Sequence, residues 1–344
     1  MQRIELSHLK CPSCNNEVLL HNNLGIHCDK CDTQFFINDG VIDFLPGISL
    51  DTQLDLESYD SNHGVDEDNS KSIFNLYDSN IAKYSDIEIN EVLEIGSGTG
   101  NLTHGLCSYS SLNKIHCSDV SLRFIERLKL RIESTKHRDI VLIYRFDANH
   151  LPFRDNSMDS IVGHSILHHL EYFERTLSNV FQVLKKGGVA MFGEPILNTY
   201  AFVSLAASLI FETNKNMLHG IIKEKEKMVL KSMALKALKM RNNIKEKERI
   251  NLQKIEDKFR FPIEYMNSIS QEIGFQKMEV VQWAEVSDLG EVVKKEFKMV
   301  LMQNDCDTDF LEQFDYIFNA IGNSYGKALD GYLSQVFAFF LFKK

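Results

Sequence analysis

A glycine-rich turn at residues 96–100 constrains the fold of this chain more than any other feature. Glu91 to Ile95 reads EVLEI, a short apolar run, and passes directly into Gly96-Ser97-Gly98-Thr99-Gly100. An amphipathic segment starts at Asn101. Strand, glycine turn and helix start, in that order, make the first βα turn of a doubly wound α/β fold. Glycines let the backbone approach a ligand closely, and the start of a helix offers N–H groups with no partner inside the helix.

The same alternation continues downstream. The strand-like KIHCSD ends in Asp119, nineteen residues past Gly100. A carboxylate at the tip of a second strand can accept both ribose hydroxyls of an adenosine moiety. Ile140 to Phe146 is expected as a third strand, ending at Asp147-Ala148, and Met158 to Ser165 as a fourth. Leu184-Lys-Lys-Gly-Gly188 closes a helix, and Val189 to Phe192 makes a fifth strand leading to Glu194-Pro195. Phe275 to Ala284, after the Ile273-Gly274 break, fits a sixth. Gln335 to Phe342 fits a seventh, its near-continuous apolar run suiting a strand covered on both faces. A nicotinamide-binding domain is the competing reading of the glycine turn. The GxGxG spacing and the DANHLPF segment at 147–153 stand against it.

VLEIGSGTGNLT, Asp119, DANHLPF, MDSIVGHSILHHL and VLKKGGVAMFGEP agree in order and spacing with one family. Over about residues 75–200 the chain resembles the class I S-adenosylmethionine-dependent methyltransferases, in particular the ubiquinone/menaquinone-biosynthesis type. The resemblance implies a Rossmann-like seven-stranded sheet with the seventh strand antiparallel between the fifth and sixth. It implies that Glu94 and the loop of Gly96, Ser97, Gly98 and Gly100 hold the methionyl end of the cofactor. Asp119 would bind the ribose hydroxyls with Val120 beside the adenine, Asp147 would meet the adenine amino group, and Ala148 would supply a backbone contact. His164 falls where this family often contacts the methionine part. Tyr77 and Tyr84 lie in a region that often covers the cofactor, and core packing accounts for them equally well.

Near the start, Cys11 and Cys14 (CPSC) and Cys28 and Cys31 (CDKC) form two CxxC pairs thirteen residues apart. Two such knuckles complete a tetrahedral S4 site of the kind a structural zinc accepts, closed to catalysis. The competing reading is redox-active or incidental thiols. A head of about forty residues buries little core, so the metal is expected to contribute much of its folding energy. After the second knuckle, two short extended runs flank the Asp39-Gly40 turn. The CPxC, CxxC and DGxxxxLP elements at residues 9–46 resemble the zinc ribbons related to the small activator protein of tRNA and protein methyltransferases, and that of the ribosomal RNA guanine-N1 methyltransferases. Cys107, Cys117 and Cys306 are read as small buried residues.

These signals divide the chain into a zinc ribbon at 1–48, an acidic linker at 49–72, a methyltransferase core at 73–197 and 261–344, and a helical insertion at 198–260. Residues 51–70 hold seven acids and no Lys or Arg. In the insertion, Val229, Met233, Ala237, Met240 and Ile244 form one apolar stripe on a helix. Insertions at this place in such enzymes commonly form a lid over the acceptor, and a solvated helical face is the plainer alternative. Residues 221–260 carry thirteen Lys/Arg against six Asp/Glu, or +7, in a chain of net charge -10. An acidic body is a poor partner for a polyanion, so nucleic acid is the less favoured partner. The apolar runs fall short of the ~18 residues of a membrane span, and the first twenty residues lack the apolar core of a signal peptide. A cytoplasmic location is expected, where thiols stay reduced.

The expected activity is S-adenosylmethionine-dependent methylation of O, N or C in a small molecule, in specialised metabolism, with an anionic or carrier-protein-bound acceptor among the options. The alternatives are an RNA methyltransferase of the ribosomal guanine-N1 type and a non-catalytic cofactor-binding scaffold. His164, His168, His169 and Glu194, near the carboxyl ends of strands four and five, are the candidates for a general base.

Overall fold

The computed structural model describes residues 6–21, 25–48, 56–63, 67–109, 112–133, 135, 138–217, 220–236, 257–281, 288–325 and 336–344. They divide into two compact units, one of Met1–Phe192, Ile269–Glu279 and Leu341–Lys344, the other of Gly193–Ser268 and Val280–Phe340. Among the described residues, no helix is long and apolar enough to cross a membrane.

The first unit opens with β1 (Leu19–His21), β2 (Gly25–Cys28), β3 (Thr33–Asn38) and β4 (Val41–Asp43). These pair antiparallel in sequence. The β3–β4 turn is Asp39-Gly40 with φ of 48° and 81°. Both values are positive, as a two-residue hairpin of the primed type requires, and Asp-Gly is the pair that adopts it at least cost. Two helices follow, α1 (Leu56–His63) and α2 (Glu67–Tyr84). Then come β5 (Glu91–Ile95), α3 (Asn101–Tyr109), β6 (Lys114–Asp119), α4 (Leu122–Glu133), β7 (Val141–Arg145), β8 (Met158–His164), α5 (Phe173–Val183) and β9 (Leu184–Pro195). Helix α4 turns Phe124, Ile125, Leu128 and Ile132 inward at spacings of 1, 3 and 4, the stripe of a helix laid on a sheet. Late in the chain α8 (Ile263–Ile273), β10 (Lys277–Val281) and β11 (Phe337–Lys343) complete the set.

The sheet order is β1-β2-β3-β4-β7-β6-β5-β8-β9-β11-β10. Its last seven members reproduce the expected order, with the seventh strand of the core between the fifth and sixth. Direction follows from the chain end. The Lys344 N–H donates to Gly188 O at 3.1 Å, Gly187 N–H to Lys344 O at 2.9 Å and Gln276 N–H to Lys343 O at 2.9 Å. The end of β11 therefore lies beside the beginnings of β9 and β10 and runs against both. The fifth strand is longer than the expected Val189–Phe192, because Leu184 to Gly188 extend it backward.

The strands of the head at 1–48 join those of the core. Strand β4 pairs parallel with β7, Val41 with Ile143, Ile42 with Tyr144 and Asp43 with Arg145, so one sheet of eleven strands runs through both. Among its described residues, the stretch at 49–72 holds α1 and the first turns of α2. Glu67 and Asp68 sit in the first turn of α2, where negative charge favours a helix.

The second unit is helical: α6 (Leu197–Asn216), α7 (Glu224–Lys236), α9 (Leu289–Gln303) and α10 (Asp315–Tyr325). They share one apolar core that includes Val203, Ile210, Leu230, Met233, Phe297, Phe314 and Phe318. The described helices of the insertion, α6 and α7, thus share one core with α9 and α10. Of the expected stripe, Met233 is buried and Val229 packs against the core, while Ala237, Met240 and Ile244 lie outside the described residues.

Candidate cofactor cleft and metal centre

Strand β5 delivers its last residues into the glycine turn, and the turn is sewn to β6. Ser97 N–H donates to Ser118 O at 2.8 Å, and Ser118 N–H returns a bond to Ser97 Oγ at 3.1 Å. Gly98 N–H donates to Asp119 Oδ2 at 2.9 Å, while Asp119 Oδ1 accepts from Ser121 N–H at 2.9 Å. Two backbone donors so fix the plane of the carboxylate. A carboxylate so held presents acceptor oxygens of the kind that hydroxyl donors such as a ribose diol require. Gly100, at φ 101°, closes the turn where a Cβ would stand 2.5 Å from Leu128 Cδ1, so a side chain there meets both strain and a clash.

Glu94 lies under the turn and is almost fully buried. Thr103 Oγ1 donates to its Oε2 at 2.6 Å. Burial pushes the Glu94 carboxyl up to about 7 against the pull of the Thr103 hydrogen bond, with the Asp119 charge adding to the rise. After β7, Asp147 Oδ1 accepts from the Asn149 N–H at 2.9 Å, and Ala148 is buried. Val120 directs its carbonyl to Arg145 Nε at 3.0 Å. Ser118 Oγ donates to Glu94 O at 3.0 Å, so Glu94, Ser97, Gly98 and Asp119 form one connected set through Ser118 and its neighbour Asp119, which Val120 follows.

The candidate bases fall in several places. His164 ends β8, its ring centroid 6.4 Å from that of Tyr77. His168 and His169 belong to a short 3-10 turn, Leu167–His169, with ring centroids 4.0 Å apart. Glu194 is fully buried near the end of β9, in the second unit. Tyr77 is a core residue whose hydroxyl donates to Gly163 O at 2.6 Å. Tyr84 ends α2 with the Lys83 and Lys277 ammonium groups 5.0 and 5.5 Å from its ring.

The tyrosine that reaches the glycine turn is Tyr59, on α1. Its hydroxyl lies 3.0 Å from where a Gly98 Cβ would be, and its ring packs on Phe124 at 4.6 Å between centroids. Arg131 Nη1 donates to Thr99 O at 2.6 Å and its Nη2 lies 3.1 Å from Asp60, while Arg127 pairs with Glu57 at 2.6 Å. Glu57 and Asp60, two of the acids that read as linker, are the charges that fasten α1 over the turn. Arg127 and Arg131, four residues apart on one face of α4, were the available signal.

In the head, Cys11 Sγ lies 3.6 Å from Cys31 Sγ and Cys14 Sγ 3.5 Å from Cys28 Sγ, with all four within 4.8 Å of one another. Four sulfurs ~2.3 Å from a tetrahedral metal would stand about 3.8 Å apart, so the donor set fits one. Burial pushes the Cys11 thiol up to about 12, and the Thr33 hydroxyl, 3.0 Å from Cys31 Sγ, pulls Cys31 down to about 6. Cys107 and Cys117 are buried as expected, while Cys306 is only partly so.

Residues 93–192, the stretch that holds the glycine turn, Asp119 and Asp147, match the family model described as a methyltransferase domain. Residues 93–192 therefore carry a methyltransferase domain, in keeping with the expected likeness to the class I S-adenosylmethionine-dependent enzymes. The demethylmenaquinone methyltransferase of Symbiobacterium thermophilum is 29% identical over 98 residues, 28% of this chain and 39% of that protein. The highly reducing polyketide synthase azaB of Aspergillus niger is 29% identical over 112 residues, 28% of this chain and 4% of the synthase. The likeness thus spans well under half of either relative. Among solved structures, phosphoethanolamine N-methyltransferase 2 of Haemonchus contortus aligns at a TM-score of 0.41 and 14% identity, over 85% of this chain and 60% of that one. The methyltransferase domain accounts for β5 through β9. The head, α1 and the helical body lie outside residues 93–192.

Proposed function

We propose that this chain methylates a small-molecule acceptor at O, N or C with S-adenosylmethionine as donor. The observation that carries the reading is the joined set of glycine turn, Asp119 and buried Glu94 inside the methyltransferase domain. When bound, S-adenosylmethionine supplies a methyl group on a positively charged sulfur, whose in-line displacement needs alignment and exclusion of water more than proton transfer. The Gly96–Gly100 turn brings backbone N–H groups to the donor. Asp119 takes the ribose hydroxyls, Asp147 and Ala148 the adenine, and Glu94 the methionyl ammonium, which favours the ionised carboxylate. Tyr59 covers the turn from α1. Where the acceptor carries a proton that must leave, His164, His168, His169 and Glu194 are the groups to vary.

In the head, Cys11, Cys14, Cys28 and Cys31 would hold a structural zinc, which supplies cross-linking and no open coordination position. Such thiol chemistry suits a reducing compartment, and we place the protein in the cytoplasm. The relation to polyketide synthases and the +7 balance at 221–260 favour an acidic or carrier-bound acceptor. An RNA substrate is the competing reading, favoured by the order of ribbon before methyltransferase domain. Transfer of labelled methyl groups to carrier-bound thioesters, free small acids and RNA separates these readings. Labelling of RNA alone would overturn the small-molecule assignment.

A further inference from the structure

Arg145, the last residue of β7, is 2% exposed. By register it stands between Asp43 on β4 and Asp119 on β6, so one row across three adjacent strands reads Asp, Arg, Asp. Its guanidinium is shared between the head and the loop after β6. Nε donates to Val120 O at 3.0 Å. Nη1 donates to Leu45 O at 2.8 Å and lies 3.3 Å from both Asp43 oxygens, and Nη2 donates to Ile48 O. The backbone adds a further tie, Phe44 N–H to Arg145 O at 2.9 Å.

A second seam runs beside it. Leu9 bridges Phe153, Lys10 N–H donates to Pro152 O at 2.9 Å, Arg154 N–H to His8 O at 2.8 Å and Arg154 Nε to Leu9 O at 3.1 Å. The head therefore holds the segment that directly follows Asp147 and Ala148. Both loops assigned to the adenosine, at Asp119-Val120 and at Asp147-Ala148, are fastened to the same cysteine-bearing head.

We propose that Arg145, with Asp43 as its counter-charge, is a positioning residue for the adenosine half of the donor, and that the cysteine head is a built-in wall of the donor site. A buried guanidinium that loses its carboxylate is costly to leave in place. It relaxes by moving, and Val120 moves with it, shifting the loop that Asp119 begins. Lysine cannot substitute, since one ammonium cannot span Val120, Leu45 and Asp43 in the plane that the guanidinium fork provides.

The inference rests on the donor assignment, and the experiment separates the two. Calorimetry on the full-length chain, with S-adenosylhomocysteine and with 5′-methylthioadenosine as an adenosine-only probe, would compare wild type with Asp43→Asn, Arg145→Lys and Lys343→Ala. The last breaks the Lys343–Asp86 ion pair in the same unit and serves as control. Asp43→Asn and Arg145→Lys are expected to weaken both ligands by the same factor, about tenfold or more, while Lys343→Ala leaves both unchanged. By reciprocity, S-adenosylhomocysteine should raise the equilibrium metal affinity of the wild-type head in competition with a chelator, and raise it less in Asp43→Asn. A purely structural role would lower the melting temperature of Asp43→Asn and Arg145→Lys and leave that linkage intact. Folded Asp43→Asn and Arg145→Lys proteins that bind both ligands within twofold of wild type would overturn the proposal. A wild type that binds neither ligand would instead remove the donor assignment itself.

Discussion

In the first unit the glycine turn is fixed by directional bonds, from Ser97 and Gly98 to Ser118 and Asp119 and from Arg131 to Thr99. In the second, α6, α7, α9 and α10 meet through Phe297, Phe314, Phe318, Leu230 and Ile210, and large apolar groups also face solvent, Met228 at 72% exposure and Met302 at 67%. Directional bonds specify one geometry and fail when a partner is lost. Apolar packing specifies volume and tolerates exchange of side chains. A site of fixed geometry suits the first construction, and the second tolerates change in its side chains.

The contrast breaks most visibly at the head. Replacing Cys11 and Cys14 with serine should take bound zinc from one per chain to none by elemental analysis. Structural zinc contributes roughly 10 kcal/mol in small domains, so the first unit should lose its cooperative unfolding while helical circular dichroism from the second persists. Loss of both signals together would show that the contrast is drawn too sharply. Next in size, Phe297→Ala should cost about 3–5 kcal/mol by emptying the helical core. Affinity for S-adenosylhomocysteine should stay within twofold. A parallel loss of affinity would show the two constructions to be coupled.

The third test uses pH. Glu94 in the folded chain titrates near 7, above the value of about 4.3 for an unfolded glutamate. A raised folded value favours folding fully below about 4.3, and the contribution is lost as pH rises through 7, a change of roughly 3 kcal/mol. Urea midpoints should therefore fall between pH 5 and 8 in wild type and fall less in Glu94→Gln. Identical profiles would contradict the buried-acid account. The smallest effect belongs to the surface of α7. Lys223→Glu, Lys225→Glu and Lys231→Glu together should change stability by only about 0.5 kcal/mol and leave donor affinity alone, while lowering turnover of an acidic or carrier-bound acceptor. Unchanged turnover would remove the charge argument for that acceptor.

The sheet core was legible because each strand carries its own signal: EVLEI before the glycines, KIHCSD ending in an acid, GGVAMFGEP after a helix. The S4 cluster was legible for the same reason, its spacing being local. What was hidden depends on partners far apart in sequence. Strand β4 is three residues long, and its place beside β7 is fixed by Asp43 meeting Arg145, 102 residues away. The acids of α1 read as a linker because their cations, Arg127 and Arg131, come from α4. Tyr77 matched the expected position of a covering tyrosine and proved to be core, while Tyr59 lay in a stretch whose composition argued for solvent.

The most direct measurement is titration of the purified full-length chain with S-adenosylhomocysteine, wild type beside Asp119→Ala. The account predicts saturable one-to-one binding in wild type and a loss of roughly 30-fold or more on removing the carboxylate, the size of a charged hydrogen-bond pair. Equal binding by both proteins would contradict the site drawn around the Gly96–Gly100 turn, and no binding by either would contradict the methyl-transfer function proposed for it.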